Sequence, residues 1–103
     1  MSGLFLYMDN TNSKEIENII TEIKEQNPEA VLLTGLEAAI IGITRKGIVV
    51  YSIDRIITIL MTKKHGSMSA DEANDFFEYN IGCLGLGEYT PIFIEETNKY
   101  GIV

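Results

Sequence analysis

The chain has one cysteine, one histidine and no run of apolar residues near the ~18 needed to cross a bilayer. Each scarcity removes a class of explanation. A lone Cys83 closes no intramolecular disulfide, and no second Cys or His stands at zinc-ligand spacing, so redox and metal readings both lose their basis. Cys83 reads as a small buried apolar side chain. His65 has no Ser or Cys partner in a nucleophile motif and stands beside Gly66 in a helix-ending turn, which leaves a general base nothing to activate. Met1 to Met8 is apolar without a basic leader and runs directly into Asp9, Asn10 and Asn12, unlike a secretory signal. A cytosolic protein without membrane contact is the expectation.

Positive charge is also scarce. Eight Lys and Arg face fifteen Asp and Glu, a net charge of −7, so the basic face that displaces counterions from a duplex is missing and duplex nucleic acid is not an expected partner. The cations that exist are concentrated. Arg45, Lys46, Arg55, Lys63 and Lys64 fall in one segment with only Asp54 opposing them, which suits either a small anionic ligand or ordinary solvated positions at a turn and a helix C-terminus. Phosphate-loop chemistry fails on spacing. Gly82, Gly85 and Gly87 are not at GxGxxG intervals, do not open a helix after a strand, and lack the Lys-Ser/Thr of a Walker loop. The pairs Asp71-Glu72 and Glu95-Glu96 stand at element ends, where solvation and the helix dipole account for them without acid–base catalysis.

What is present reads as one domain, residues 1–103, large enough to bury about 65% of its unfolded surface. Gly3 to Met8 has strand composition and Asp9 to Asn12 that of a turn. Asn12 and Glu15 then have capping-box spacing, and Ile16, Ile19, Ile20 and Ile23 line one face of a helix that Asn27-Pro28 ends. Ala30 to Thr44 reads as two strands separated by Thr34-Gly35-Leu36-Glu37. Arg45-Lys46-Gly47 forms a hairpin turn into the β-branched strand Ile48 to Ile53, after which Asp54 caps a helix reaching Lys64. Ser69 and Glu72 form a second capping box, opening a helix with a stripe of Ala73, Phe76, Phe77, Asn80 and Ile81. Asn80 is the unexpected member. A carboxamide beside Phe76 and Phe77 is expected to be partly buried, satisfied by helix-end backbone or by a ligand. Gly82 to Pro91 is a glycine-rich turn before the strand Ile92 to Ile94. The expected fold is α+β: a mixed or antiparallel sheet of about four or five strands packed with three helices.

The combination LTGLEAAIIGI, an IVVYS strand, a helix ending ILMTKK, and MSADEANDFFEYNIG followed by GEYTPIFI resembles a widespread family of small phage-encoded proteins, over about Val31 to Ile94. Some proteins of this kind resemble anti-CBASS nucleotide sponges. The resemblance implies a protein of the host bacterial cytoplasm that sequesters cyclic dinucleotides such as cyclic GMP-AMP, with affinity and no turnover, and with no cofactor. For such a ligand, Thr34, Gly35, Arg45 and Lys46 are the candidate phosphate contacts. Tyr51, Tyr79 and Tyr89 are candidates to stack on bases, and Glu37, Asn80 and Thr90 to read base edges or ribose hydroxyls. A domain this small implies a homo-oligomer with pockets at or near subunit contacts. The competing expectation is a phage accessory protein that inhibits a host protein through its acidic surface; a nucleotide-cleaving enzyme is a third.

Overall fold

Asp9, Asn10 and Asn12, which read as a turn, lie inside a helix. The computed structural model describes the backbone of residues 3–62 and 66–97, with side chains from residue 14 onward. Its first element, α1, is one helix over Gly3–Gln26, so neither the strand at Gly3 to Met8 nor a helix start at Asn12 is formed. A short apolar block is ambiguous between strand and helix, and a helix satisfies its backbone groups internally where a strand would need a neighbour. The far end follows expectation. The Asn27 amide donates to Ile23, its Oδ1 accepts from Glu29 N–H at 3.0 Å, and Lys24 Nζ donates to the carbonyls of Pro28 and Ala30. Ile23 is buried, with Ile19 packed against the same core.

The expected strand over Ala30 to Leu33 is also absent. The Leu33 N–H that a sheet neighbour would have taken instead donates to the Tyr51 hydroxyl at 2.8 Å, and the chain continues into a 3₁₀ turn over Glu37–Ala39. Strand β1 (Ile40–Ile43) then pairs antiparallel with β2 (Val49–Ser52), with a bulge between Ile40 and Gly42. Their hairpin turn is where the sequence placed it. Gly47 has φ 87°, and a Cβ there would lie 2.5 Å from Asn27 Nδ2, so both the turn and the close approach of α1 require glycine. Strand β3 (Ile92–Ile94) pairs parallel with β2, giving a three-stranded mixed sheet in the order β1-β2-β3 rather than four or five strands.

Helix α2 (Ile53–Leu60) starts from the end of β2, and its cap is Ser52, one of the strand's own residues, rather than Asp54. Ser52 is fully buried. Its Oγ accepts from Arg55 N–H at 3.2 Å and donates to Glu96, whose carboxylate also takes Arg55 Nε at 3.1 Å while its amide donates to Asp54 at 3.0 Å. These bonds tie the chain leaving β3 to the first turn of α2. The helix stops short of the expected end, and Lys63, Lys64 and His65 lie outside the described residues.

Helix α3 (Ala70–Phe76) opens on the expected capping box: Ser69 Oγ accepts from Glu72 N–H at 3.1 Å, and the Glu72 carboxylate accepts from Ser69 N–H at 2.8 Å. It passes into a π-helical turn over Phe77–Ile81, closed by Gly82 N–H donating to Phe77 at 2.7 Å. Between these elements the core is continuous. Val49, Tyr51 and Ile56 are fully buried, and Phe93 joins Tyr51 (ring centroids 5.8 Å) to Phe77 (5.3 Å, edge to face). The fold class is therefore α+β, with three helices on a sheet smaller than expected.

Candidate functional site

Successive residues on a helix differ by about 100°, so Phe76 and Phe77 point in different directions. Ala73, Phe77 and Ile81, four residues apart, face the core, and the Phe77 ring lies against Gly82, where a Cβ would stand 3.0 Å from Cε2. The outward face is Glu72, Asp75, Phe76, Tyr79 and Asn80. Phe76 is 38% exposed and Tyr79 76% exposed, an unusual position for two aromatic rings on one short helix. The expected single stripe of Ala73, Phe76, Phe77, Asn80 and Ile81 is thus divided, and Asn80 is exposed rather than partly buried. Its Nδ2 donates to the Phe76 carbonyl at 3.2 Å, which is the backbone alternative of the two open at the sequence level.

Two clefts adjoin on this face. One, of about 520 Å³, is lined by Gly66, Met68, Glu72, Asp75, Phe76, Tyr79 and Asn80. The other, of about 550 Å³, passes Met68, Phe76 and Asn80 to an apolar wall that includes Leu32, Leu33, Leu36, Leu60 and Leu84, with Thr34 at its edge. Met68, Phe76 and Asn80 line both. The lip carrying Met68 has a constrained backbone: Gly66 has φ 94° and Ser67, a non-glycine residue, φ 55°. Among the described residues, the lining contains two carboxylates, Glu72 and Asp75, and no Lys, Arg or His.

The residues singled out from the sequence separate into those at these clefts and those elsewhere. Thr34, Tyr79 and Asn80 are brought to them. Gly35 adopts φ 91°, and its N–H donates to Glu37 Oε1 at 3.0 Å, so an acceptor that is itself anionic already occupies the amide proposed for phosphate. Glu37 is held in its own turn by the same bond. Arg45 and Lys46 are exposed on the β1–β2 hairpin, whose tip is fastened to the end of α1 by Gln26 Nε2 to Thr44 and Asn27 Nδ2 to Gly47; neither cation lines a cleft. Tyr51 presents no face for stacking, because its ring is fully buried. Burial pushes its hydroxyl above the ordinary tyrosine value, with Glu37 adding to the rise and the Leu33 N–H opposing it. Thr90 braces its own loop, accepting from Leu86 N–H and donating to Gly87, and the half-buried Tyr89 beside it lines neither cleft. Cys83 is exposed, correcting the buried side chain expected of it, with Sγ near the Tyr79 carbonyl at 3.3 Å.

Met68, Glu72 and Asp75 were not among the sequence candidates. A signal for them existed in the periodicity: positions 72, 75, 76, 79 and 80 follow i, i+3, i+4, i+7 and i+8, which assigns Phe76 and Tyr79 to the face of the carboxylates. Among the described residues no group of three His, Cys, Asp or Glu is placed to hold a metal ion, and no helix is long and apolar enough to cross a membrane. Compared with protein-family models, curated proteins and solved structures, the chain matches none.

Proposed function

We propose that this chain works by stoichiometric binding to a protein partner, using the acidic and aromatic surface around α3. The observation that carries this reading is the lining of the paired clefts, where the carboxylates of Glu72 and Asp75 meet apolar side chains. A cyclic dinucleotide carries two negative charges, and Glu72 and Asp75 would repel them at close range. A protein surface with basic and apolar groups suits the same lining. On the resemblance to phage-encoded proteins, that partner is a host bacterial protein whose activity the chain blocks by occupying it, in the host cytoplasm and with no reaction catalysed.

The test is affinity capture from host cells, followed by reconstitution of the captured protein with purified chain. A complex of fixed stoichiometry that inhibits the partner supports the reading. Failure of every captured protein to re-form a complex from purified components removes it.

A second reading, sequestration of cyclic dinucleotides, is supported by the meeting of Thr34, Tyr79 and Asn80 at the clefts. It requires cations beside these residues. A homo-oligomer would supply them if it carried Arg45 and Lys46 of one copy to the clefts of another, and the sheet offers an uncharged contact surface in Ile41, Ile92 and Ile94, each more than a third exposed. Calorimetry against cyclic di- and trinucleotides separates the readings, since only the sponge gives heat and a raised melting temperature. Tight dinucleotide binding by a chain that light scattering finds monomeric would remove the oligomeric arrangement.

A further inference from the structure

A helix face that exposes two aromatic rings beside two carboxylates is poorly explained by folding. The capping box and the inward stripe of Ala73, Phe77 and Ile81 suffice to form and dock α3, so Phe76 and Tyr79 gain little from their positions in the isolated chain. We propose, resting on the protein-binding reading above, that the paired clefts seat an amphipathic helix of the partner with arginine at one end of its apolar stripe. Three features define this occupant. The apolar wall of Leu32, Leu33, Leu36, Leu60 and Leu84 runs beside the Phe76 ridge and takes the aliphatic side chains of the entering helix, which meet a trough at i, i+3, i+4 and i+7. Glu72 and Asp75 line the cleft that shares Met68, Phe76 and Asn80 with that wall, and the Glu72 carboxylate is held in place by the Ser69 N–H, so its charge is fixed before the partner arrives. Phe76 and Tyr79 line the same cleft as those carboxylates, and aromatic rings with carboxylates recognise a planar guanidinium better than an ammonium.

The π turn has a part in this. The turn over Phe77–Ile81 contains the exposed Tyr79 and Asn80, and π turns of this kind concentrate at functional sites. The left-handed Ser67 directs the chain around the opposite lip, where Met68 supplies a deformable apolar contact shared by both clefts.

The probe is a fluorescein-labelled synthetic helix with leucine at i, i+3, i+4 and i+7 and two arginines at one end, titrated with the full chain and followed by anisotropy. Its controls replace the arginines by lysine or by glutamate. Binding of the arginine peptide is expected to exceed that of the glutamate peptide by more than ~10-fold, with lysine between them. Asp75→Lys and Tyr79→Ala are each expected to weaken it by about 10-fold, whereas Glu25→Lys, an equal charge change on exposed α1 surface, leaves it unchanged. Melting temperatures near that of the unaltered chain establish that these surface variants fold. Equal loss in Asp75→Lys and Glu25→Lys would reduce the effect to general attraction by an acidic protein and overturn the proposal. If no peptide binds while a host protein still forms a stoichiometric complex, the occupant assigned to the clefts is wrong and the protein-binding reading stands; if neither binds, both fall.

Discussion

The two faces of α3 and its π turn differ in what holds each side chain where it is. On the inward face Ala73, Phe77 and Ile81 are less than a tenth exposed, and Phe77 makes an edge-to-face contact with Phe93, which in turn reaches Tyr51. On the outward face Phe76 and Tyr79 meet solvent beside Glu72 and Asp75. Sequence neighbours of the same type therefore have separate reasons to be present. The inward ring is explained by stability, and the outward ring is the one the proposed partner would contact.

The sharpest way to break that comparison is to truncate the two phenylalanines separately. Phe77→Ala should cost about 3–5 kcal/mol, because the surrounding core collapses only partly into the space of a buried ring. In a domain of this size each kcal/mol lowers the melting temperature by about 4–8 °C, so the variant is expected to be largely unfolded under mild denaturant. Phe76→Ala should cost less than about 1 kcal/mol. Urea denaturation of both variants measures the difference, and equal losses would show that the outward ring is structural after all.

A similar contrast separates the two serine caps. Ser69 caps α3 in solvent, whereas Ser52 caps α2 while fully buried and also donates to Glu96. Ser69→Ala should cost about 1 kcal/mol, the ordinary value of a cap. Ser52→Ala should cost about 2 kcal/mol or more, because it also removes a buried partner of the Glu96 carboxylate. Chemical denaturation gives both values, and a smaller loss at Ser52 would mean that the Arg55–Glu96 pair holds the end of β3 without it.

Tyr51 extends the comparison to the hydroxyls. Tyr51→Phe leaves the Leu33 N–H without its acceptor, at a cost of about 1–2 kcal/mol, while Tyr79→Phe should leave stability unchanged. The pH dependence follows from the raised value of Tyr51. Below the ordinary tyrosine value of 10.0 both folded and unfolded chains keep the proton; above it the unfolded chain loses the proton first, so stability falls with rising pH until the folded hydroxyl also ionises. Denaturation midpoints measured on either side of pH 10 should show that fall, and Tyr51→Phe should diminish it.

Elements whose signals are local chemistry were legible in the sequence. The Ser69–Glu72 capping box, the Gly47 turn, the Ile19–Ile23 face and the Asn27-Pro28 stop depend on residues within a few positions of one another. What was not legible depended on distant partners. Whether Gly3 to Met8 becomes a strand depends on a free sheet edge, and whether Leu33 joins a ladder depends on a tyrosine hydroxyl eighteen residues away. The site divided in the same manner. Asn80 stood out as a residue of unusual type for its helix and Tyr79 as a stacking candidate for the implied ligand, but Met68 joins them from outside α3, which no periodicity within the helix reveals. Arg45 and Lys46, two of the proposed phosphate contacts, line neither cleft and stand on a hairpin fastened to α1, which no local pattern reveals.

The smallest expected effect tests whether the lip of the clefts is shaped for stability or for the partner. Ser67 holds φ 55°, a conformation that costs a residue with a Cβ about 1 kcal/mol relative to glycine. Ser67→Gly relieves this cost, but glycine also loses more backbone entropy on folding, by about 0.5–1 kcal/mol. The two terms nearly cancel, so the melting temperature should shift by no more than about 4 °C. Affinity for the arginine-bearing helix should respond differently. Freed from a side chain that narrows its backbone choices, the lip presents Met68 less uniformly, and the peptide should bind about 2- to 5-fold more weakly, corresponding to less than about 1 kcal/mol of lost preorganisation. A fall in affinity at constant stability would assign the left-handed residue to the binding face, whereas a rise in stability at constant affinity would make it a strained turn with no part in recognition.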